Sequence, residues 1–280
     1  MVHEPKVSVI VPCHDLGAFL TEAVESVFAQ TMQDFEIVIV DDGSTDPETL
    51  RILRHFKRPR TRVFRTENRG LPAARNHAIA QAAGRYLCAL DADDRLRPTF
   101  FEKTTALLDA HPEIGFVSTW LEVFGDESWT WTPRRCDFPV LLSECTVLTA
   151  SPVRREAVAA IGGYDGERFR DGDEDWDLWI SLVERGALGA IIPEILFDYR
   201  RRRGSRSATC DRGAIRRQIR RTLIEKHRES YARHARDVLL LRERECGELL
   251  RGNAHLEEEI ATLLGPEVER ARAELRALEP

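Results

Sequence analysis

Acidic residues occur at three places in the sequence with a spacing that could support chemistry. Asp91 and Asp93 follow an apolar run and are two residues apart, so an extended backbone would put both carboxylates on one side. Such hard oxygen ligands suit Mg²⁺ or Mn²⁺, which bind one or two carboxylates and complete their shell with water and phosphate oxygens. An acidic turn that caps the next helix explains the same residues equally well.

Two further aspartates, Asp41 and Asp42, close an apolar run in DDGST. Gly43 permits a tight turn there, and Ser44 or Asp46 could cap a following helix. An Asx turn explains one of the two aspartates. The other could accept hydrogen bonds from a nucleotide base or a ribose at a binding edge.

The third acidic stretch is RDGDEDWDLW, residues 170–179. It lacks the glycine and the glutamate that an EF-hand calcium loop requires at its sixth and twelfth positions. Helical phasing places Asp175 at the edge of an apolar stripe and Asp177 on the side that faces water. A carboxylate between a helix amino terminus and tryptophans is a candidate general base. Alternatively, Asp173 caps the helix and its acidic neighbours only favour the helix dipole.

Short apolar runs alternate with helical patterns over the first 95 residues. This βαβαβαβ order predicts an α/β fold with a mainly parallel central sheet and helices on both faces. Ligands of such sheets bind beyond the carboxyl ends of the strands, so the polar residues that follow the runs should meet at one edge. The runs are VSVIV, EIVIV, TRVFR and YLCAL, and the polar segments after them are PCHD, DDGSTD, TENRG and DADD.

Residues 96–208 have a less regular pattern. We interpret them as the second half of one domain, 1–208, whose first half is about 1–95. The predicted elements are a hairpin at 116–132, a helix at about 174–185 and a strand in AIIPEILFDYR.

Residues 209–280 are rich in Arg, Glu, Leu and Ala and predict a helical extension. Apolar residues recur there with 3,4 spacing from Cys246 to Leu263, and Asn253 occupies one of these positions. This pattern allows a homodimer through a coiled coil. Helices folded back onto the domain 1–208 are the alternative.

The overall composition excludes several classes of function. The net charge of −6 gives no basic excess, so no nucleic-acid partner is expected. The six cysteines form no CxxC pair, which argues against a zinc ribbon and a disulfide framework and favours a reducing cytoplasm. The apolar run near the amino terminus is too short for a signal peptide or a membrane span, so any membrane association is expected to be peripheral.

The order of these motifs resembles that of family 2 glycosyltransferases with a GT-A fold. The resemblance covers about residues 5–208. It rests on VSVIVPCHDLGAFLTEAVESVFAQT, DFEIVIVDDGSTD, ENRGLPAARNHAIAQAAGRYLCALDADD, EDWDLWISLVERG and YRRRRGSRS.

The resemblance implies roles for the residues of the nucleotide site. Pro12, His14 and Asp42 would line the pocket of the base, and Arg75 would help to bind the nucleotide. The arginine-rich segment that contains Arg200 would close near the donor phosphates, where guanidinium groups match phosphate geometry.

The resemblance also implies the chemistry. Asp91 and Asp93 would be the DxD pair, with Asp93 as the principal ligand of Mn²⁺ or Mg²⁺, and Asp175 would be the catalytic base. The expected activity is inverting transfer from a nucleoside-diphosphate sugar, with UDP as the expected nucleotide, to a hydroxyl of a glycan or glycolipid.

Two other functions would use a similar set of residues. A sugar-nucleotide nucleotidyltransferase also needs a nucleotide and a divalent metal, but the sequence has neither a P-loop lysine motif nor GxGxxG. A non-catalytic carbohydrate-binding or scaffolding subunit could keep the acidic motifs intact.

Overall fold

The computed structural model describes residues 4–203 and 213–252. The first half alternates strands and helices as the sequence predicts. Its elements are β1 (Val7–Cys13), α1 (Gly17–Phe28), β2 (Phe35–Asp42), α2 (Pro47–His55), β3 (Thr61–Thr66), α3 (Leu71–Gln81) and β4 (Tyr86–Ala89).

The second half is less regular and contains the predicted hairpin, helix and long strand. Its elements are β5 (Arg95–Leu96), α4 (Phe100–Ala110), β6 (Ile114–Gly125), β7 (Trp129–Trp131), α5 (Val140–Ser143), β8 (Val153–Arg154), α6 (Arg155–Ile161), α7 (Glu174–Glu184), β9 (Leu188–Arg201), α8 (Gly213–Lys226) and α9 (Arg228–Arg233).

One nine-stranded sheet connects both halves, in the order β3-β2-β1-β4-β8-β6-β9-β5, and β7 pairs with β6. The first four strands pair in parallel, which confirms the predicted α/β fold. Strands β5, β7 and β8 pair antiparallel with their neighbours, whereas β6 and β9 run parallel. The sheet is therefore mixed in its second half.

Helices cover both faces of the parallel strands. On one face Val9 packs in the same cluster as Leu20 of α1, and on the other face Ile10 packs with Ala74 and Ala78 of α3. Burial on both faces explains why these strands appear in the sequence as continuous apolar runs rather than as alternating patterns.

The compact unit that contains the sheet extends from Met1 to Arg233, past residue 208, where the sequence places the end of the catalytic domain. Helices α8 and α9 belong to this unit and cover one side of α7. The prediction that Asp177 faces water is wrong, because Asp177 is 1% exposed. Its carboxylate lies 2.8 Å from Lys226 Nζ and 2.9 Å from His227 Nε2. The spacing of apolar residues within α7 could not show this burial, because Lys226 and His227 lie 49 and 50 residues further along the chain than Asp177.

Residues 235–252 are helical and belong to a second unit, His234–Pro280. Leu239 and Leu249 are exposed on this helix. The part of the predicted coiled coil from Asn253 onward lies outside the described residues. Among the helices of residues 4–203 and 213–252, none has the length and apolar character needed to cross a membrane.

His227 lies between α8 and α9 and holds them against α7. Its Nε2 is 2.9 Å from Asp177 Oδ1, and its Nδ1 is 2.9 Å from Glu184 Oε2. Burial alone would lower the pKa of His227, but hydrogen bonds to the two carboxylates raise this pKa above its ordinary value.

We expect the substitution His227→Gln to lower the free energy of unfolding by about 2 kcal/mol near pH 6, because Asp177 then loses a cationic partner in a buried site. The raised pKa means that the imidazolium stabilises the fold fully below about pH 6.5 and that this contribution is lost as pH rises through the folded-state value. Urea unfolding at about pH 6 and about pH 9 should therefore show a smaller effect at the higher pH. His55→Gln, at an exposed histidine, is the control. An equal effect of His227→Gln at both pH values would contradict the ionic role.

Candidate active site

A cavity of about 690 Å³ lies beyond the carboxyl ends of β1 to β4, where the four polar segments meet as expected. The structure brings into its lining every residue to which the family resemblance assigns a role. These residues are Pro12, His14, Asp42, Arg75, Asp91, Asp93, Asp175 and Arg200.

His14 and Asp42 form the part of the cavity next to β1 and β2. His14 Nδ1 lies 2.9 Å from the carbonyl oxygen of Asp42, which can only accept, so the ring N–H donates a hydrogen bond to it. The Asp42 carboxylate accepts the backbone N–H groups of Arg69 and Gly70, both at 2.9 Å. Gly70 begins α3 with φ +92°, a conformation that favours glycine. Asp42 thus fixes the loop before α3 while it faces the cavity.

The neighbouring aspartate has a different environment. Asp41 accepts the backbone N–H of Ser44 at 2.8 Å and lies 3.1 Å from Arg65 Nη1, and it does not line the cavity. Asp46 caps α2 by accepting the backbone N–H of Thr49 at 2.7 Å. The Asx turn therefore accounts for Asp41, and the edge of the cavity accounts for the second aspartate of DDGST.

Arg75 is buried beneath the cavity, with an exposed fraction of 1%. Its Nη2 lies 2.7 Å from Asp91 Oδ1, and its Nη1 lies 2.6 Å from Glu174 Oε1. Burial alone would lower the pKa of Arg75, but the nearby acidic groups, Asp91 first, raise it. A permanently charged guanidinium therefore joins the acidic turn after β4 to the start of α7.

The acidic residues after β4 form a turn instead of the expected extended segment, because Asp94 N donates to Asp91 O at 3.1 Å. Asp91 and Asp93 nevertheless both line the cavity. Asp94 points away from it and accepts the backbone N–H of Arg200 at 2.8 Å. Burial raises the pKa of Asp93, and the negative charge of Asp91 raises it further.

The end of β9 holds this turn from the other side. Arg200 Nε donates to the Asp93 carbonyl oxygen at 2.8 Å, and its guanidinium carbon lies 4.9 Å from the ring centre of Phe19 and 4.3 Å from that of Phe124. Arg202 Nε donates to Asp93 Oδ2 at 2.8 Å. The remainder of the arginine-rich segment, from residue 204, lies outside the described residues.

The turn after β4 fits a divalent cation of the Mg²⁺ or Mn²⁺ type. Asp91 and Asp93 present carboxylates to the cavity, and burial together with the charge of Asp91 raises the pKa of Asp93. Each carboxylate also contacts one arginine, Arg75 at Asp91 Oδ1 and Arg202 at Asp93 Oδ2. Within residues 4–203 and 213–252, no three acidic, histidine or cysteine side chains form a metal cage. Two carboxylates suffice for these ions, because water and phosphate oxygens commonly complete their shell.

Asp175 lies in the first turn of α7 and lines the same cavity. Its Oδ2 accepts a hydrogen bond from Thr149 Oγ1, and its Oδ1 accepts the backbone N–H of Trp176 at 2.8 Å. Burial raises the pKa of Asp175, which suits a general base, while the bond from Thr149 and the charge of Arg75 limit the rise. The Asp173 side chain does not cap the helix.

Three residues that line this site were not predicted from the sequence: Glu174, Thr149 and Arg202. Glu174 adjoins Asp175 and could have been considered with it. Thr149 lies between β7 and β8 in a stretch without helical or strand periodicity, so no sequence signal pointed to it. Arg202 was one of several arginines in a charged run.

Comparisons with known proteins identify relatives of this chain. Residues 8–161 match the model of the family Glycosyl transferase family 2. The chain is 31% identical over 205 residues to the putative glycosyltransferase EpsE of Bacillus subtilis (strain 168), with 70% of this chain and 73% of EpsE covered. It is 34% identical over 217 residues to the O-antigen biosynthesis protein RfbC of Myxococcus xanthus, and this match covers 75% of the chain but 17% of RfbC.

Solved structures share the fold. The crystal structure of S. aureus TarS 1-349 in complex with UDP-GlcNAc superimposes with a TM-score of 0.63 at 17% sequence identity, over 79% of this chain and 72% of that chain. At this identity the likeness concerns the fold, which is that of a GT-A enzyme. Together with the family match and the named relatives, it establishes that the chain is a glycosyltransferase and belongs to Glycosyl transferase family 2.

Proposed function

We propose that the protein is a metal-dependent, inverting glycosyltransferase that uses a nucleoside-diphosphate sugar, with UDP as the nucleotide. The observation that carries this proposal is the placement of the acidic turn after β4 and of Asp175 in one cavity, joined beneath it by Arg75. Inverting transfer needs a group that receives the leaving diphosphate and a base on the other side of the sugar. The S. aureus TarS structure in complex with UDP-GlcNAc supports a nucleotide-sugar donor.

The donor would lie along the carboxyl ends of the parallel strands. Pro12, His14 and Asp42 would contact the nucleoside, since they surround the part of the cavity next to β1 and β2. Arg75 has both terminal nitrogens bound to carboxylates, so we assign it to the nucleotide site as the group that positions Asp91. Arg200 would likewise act indirectly, because its hydrogen bond to the Asp93 carbonyl oxygen would position the turn that faces the diphosphate.

Asp93, with Asp91 beside it, would hold Mn²⁺ or Mg²⁺. When bound, the ion would neutralise the charge that builds on the departing diphosphate. The protein contributes the rigidity of this site, because Arg200 holds the Asp93 carbonyl oxygen and Arg75 holds the Asp91 carboxylate.

Asp175 would act as the general base. Its carboxylate takes the proton of the acceptor hydroxyl while the hydroxyl oxygen forms a bond to the anomeric carbon, and the bond from that carbon to the diphosphate oxygen breaks. The attack from the opposite side inverts the anomeric configuration. The acceptor would be a glycan or a glycolipid, which RfbC, named for O-antigen biosynthesis, supports.

Titration calorimetry with UDP, GDP and dTDP, each with and without Mn²⁺, tests the donor class. We expect UDP to bind only weakly without Mn²⁺ and at least about tenfold more tightly with it, since Asp91 and Asp93 would hold the cation and its charge would favour the diphosphate. Tighter binding of GDP or dTDP than of UDP would show that the donor carries that nucleotide instead of UDP. Binding of none of the three would favour a non-catalytic scaffolding role.

The substitution Asp175→Asn removes the base and keeps the shape of the side chain. We expect it to lower glycosyl transfer at least about a hundredfold, because proton removal by a positioned base contributes on that order or more. Release of UDP from UDP-N-acetylglucosamine in the presence of a glycan or glycolipid acceptor, minus the release without acceptor, measures the rate of transfer. Calorimetry with UDP and Mn²⁺ should show nearly unchanged affinity. Asp137→Asn, at an exposed carboxylate paired with Arg135, is the matched control. Transfer at the wild-type rate would exclude Asp175 as the base.

The substitution Asp93→Asn tests the metal site separately from the base. We expect the affinity for UDP in Mn²⁺ to fall by about ten- to a hundredfold, whereas the weak affinity without Mn²⁺ should stay the same. Asp126→Asn, outside the cavity, should leave both values unchanged. If Asp93→Asn binds UDP and Mn²⁺ as tightly as the wild-type protein, the ion is held elsewhere.

A further inference from the structure

A second, much smaller cavity lies directly behind Thr149. Its volume is about 10 Å³, which is at the lower limit for one water molecule. Thr149 lines both this cavity and the large one that contains Asp175. Most of the other lining residues are apolar, but Ser151, Tyr164 and Trp179 contribute polar groups.

Two of these polar groups are unsatisfied within the described part of the chain. Ser151 Oγ and Trp179 Nε1 are buried and have no hydrogen-bond partner among these residues. A buried polar atom without a partner costs about 1–3 kcal/mol, so such atoms are normally paired with protein or with ordered water. A small cavity lined by both residues is the place where one water molecule would satisfy them.

The hydrogen bond between Thr149 and the ionised carboxylate of Asp175 can have only one direction. The ionised carboxylate of Asp175 can only accept, so the single hydroxyl hydrogen of Thr149 points to Asp175 Oδ2. The lone pairs of the same hydroxyl are then available to accept a hydrogen bond from the small cavity behind it.

We propose that Thr149 is a positioning residue for Asp175, and that one buried water, held by Ser151 and Trp179, donates to Thr149 and fixes its hydroxyl in the donating orientation. This inference rests on the proposed function of Asp175 as the base. The hydroxyl holds one carboxylate oxygen in place, so that the carboxylate keeps one orientation toward the acceptor. It also opposes the effect of burial, because a hydrogen bond to an ionised carboxylate favours the charged, proton-accepting form.

The test is the pKa of Asp175 in the full chain, measured without any substrate. Carbon-13 NMR of aspartate-labelled protein gives the carboxyl titrations, and the Asp175→Asn difference spectrum identifies the signal. We expect Thr149→Val, which keeps the shape and removes the hydroxyl, to raise the pKa of Asp175 by about one unit. Thr149→Ser should restore a value close to that of the wild-type protein.

The matched control is Thr146→Val. Thr146 is a buried threonine, and its Oγ1 has no hydrogen-bond partner among the described residues. The same substitution there should leave the pKa of Asp175 unchanged. The other charged or titratable groups around Asp175 stay the same in all of these variants, namely Arg75, Cys145, Tyr164, Asp173 and Glu174.

Crystallography tests the proposed buried water directly. A high-resolution crystal structure of the wild-type protein should show one water within hydrogen-bond distance of Ser151 Oγ, Trp179 Nε1 and Thr149 Oγ1. Ser151→Ala should raise the pKa of Asp175 in the same direction as Thr149→Val, but by a smaller amount. A cavity without water, or a Ser151→Ala protein with wild-type titration, would overturn the part of the inference that concerns the water.

Two results distinguish a failure of the positioning role of Thr149 from a failure of the proposed role of Asp175 as the base. If Asp175→Asn abolishes transfer and Thr149→Val leaves the Asp175 titration unmoved, Asp175 is the base and Thr149 does not position it. If Thr149→Val shifts the titration and Asp175→Asn still transfers sugar, the contact between the two residues is real but the base lies elsewhere, and the positioning role falls with it.

Discussion

The candidate active site depends on one buried ionic link, in which the Arg75 guanidinium lies between the carboxylates of Asp91 and Glu174. Arg75 is nearly inaccessible to solvent, so its charge needs both partners. The link joins α3, the turn after β4 and the first turn of α7, which are distant in sequence. Any displacement of Arg75 would therefore move both the acidic turn and the helix that carries Asp175. A planar guanidinium suits this task because it offers separate N–H groups to the two carboxylates.

The sheet supplies the frame around this link. Parallel pairing of β1 to β4 places four loops at one edge of the sheet, and hydrogen bonds connect these loops to one another and to β9. Asp42 binds the backbone of the loop before α3, and Arg200 binds the backbone of the turn at Asp93. Both residues face the cavity and also support it.

The acidic cluster at the start of α7 separates into residues with different tasks. Asp175 faces the cavity, Glu174 binds Arg75 beneath it, and Asp177 lies on the side covered by α8 and α9. Lys226 and His227 neutralise Asp177 there, so repulsion between neighbouring carboxylates is offset by separate cations. The helix that carries the proposed base is thus held at its start by α3 and along one side by α8 and α9.

The sequence alone is enough to predict the alternation of strands and helices and the edge of the sheet where the polar segments meet, because both follow from local periodicity. It also marks Asp91, Asp93 and Asp175 as candidate site residues, because acidic residues stand there at strand and helix ends. The cationic partner of each acidic residue, in contrast, depends on the tertiary structure. The burial of Asp177 depends on helices that follow far along the chain, and the contact of Thr149 with Asp175 depends on a stretch without periodicity. Partners of this kind are set by packing between distant segments, which no local pattern encodes.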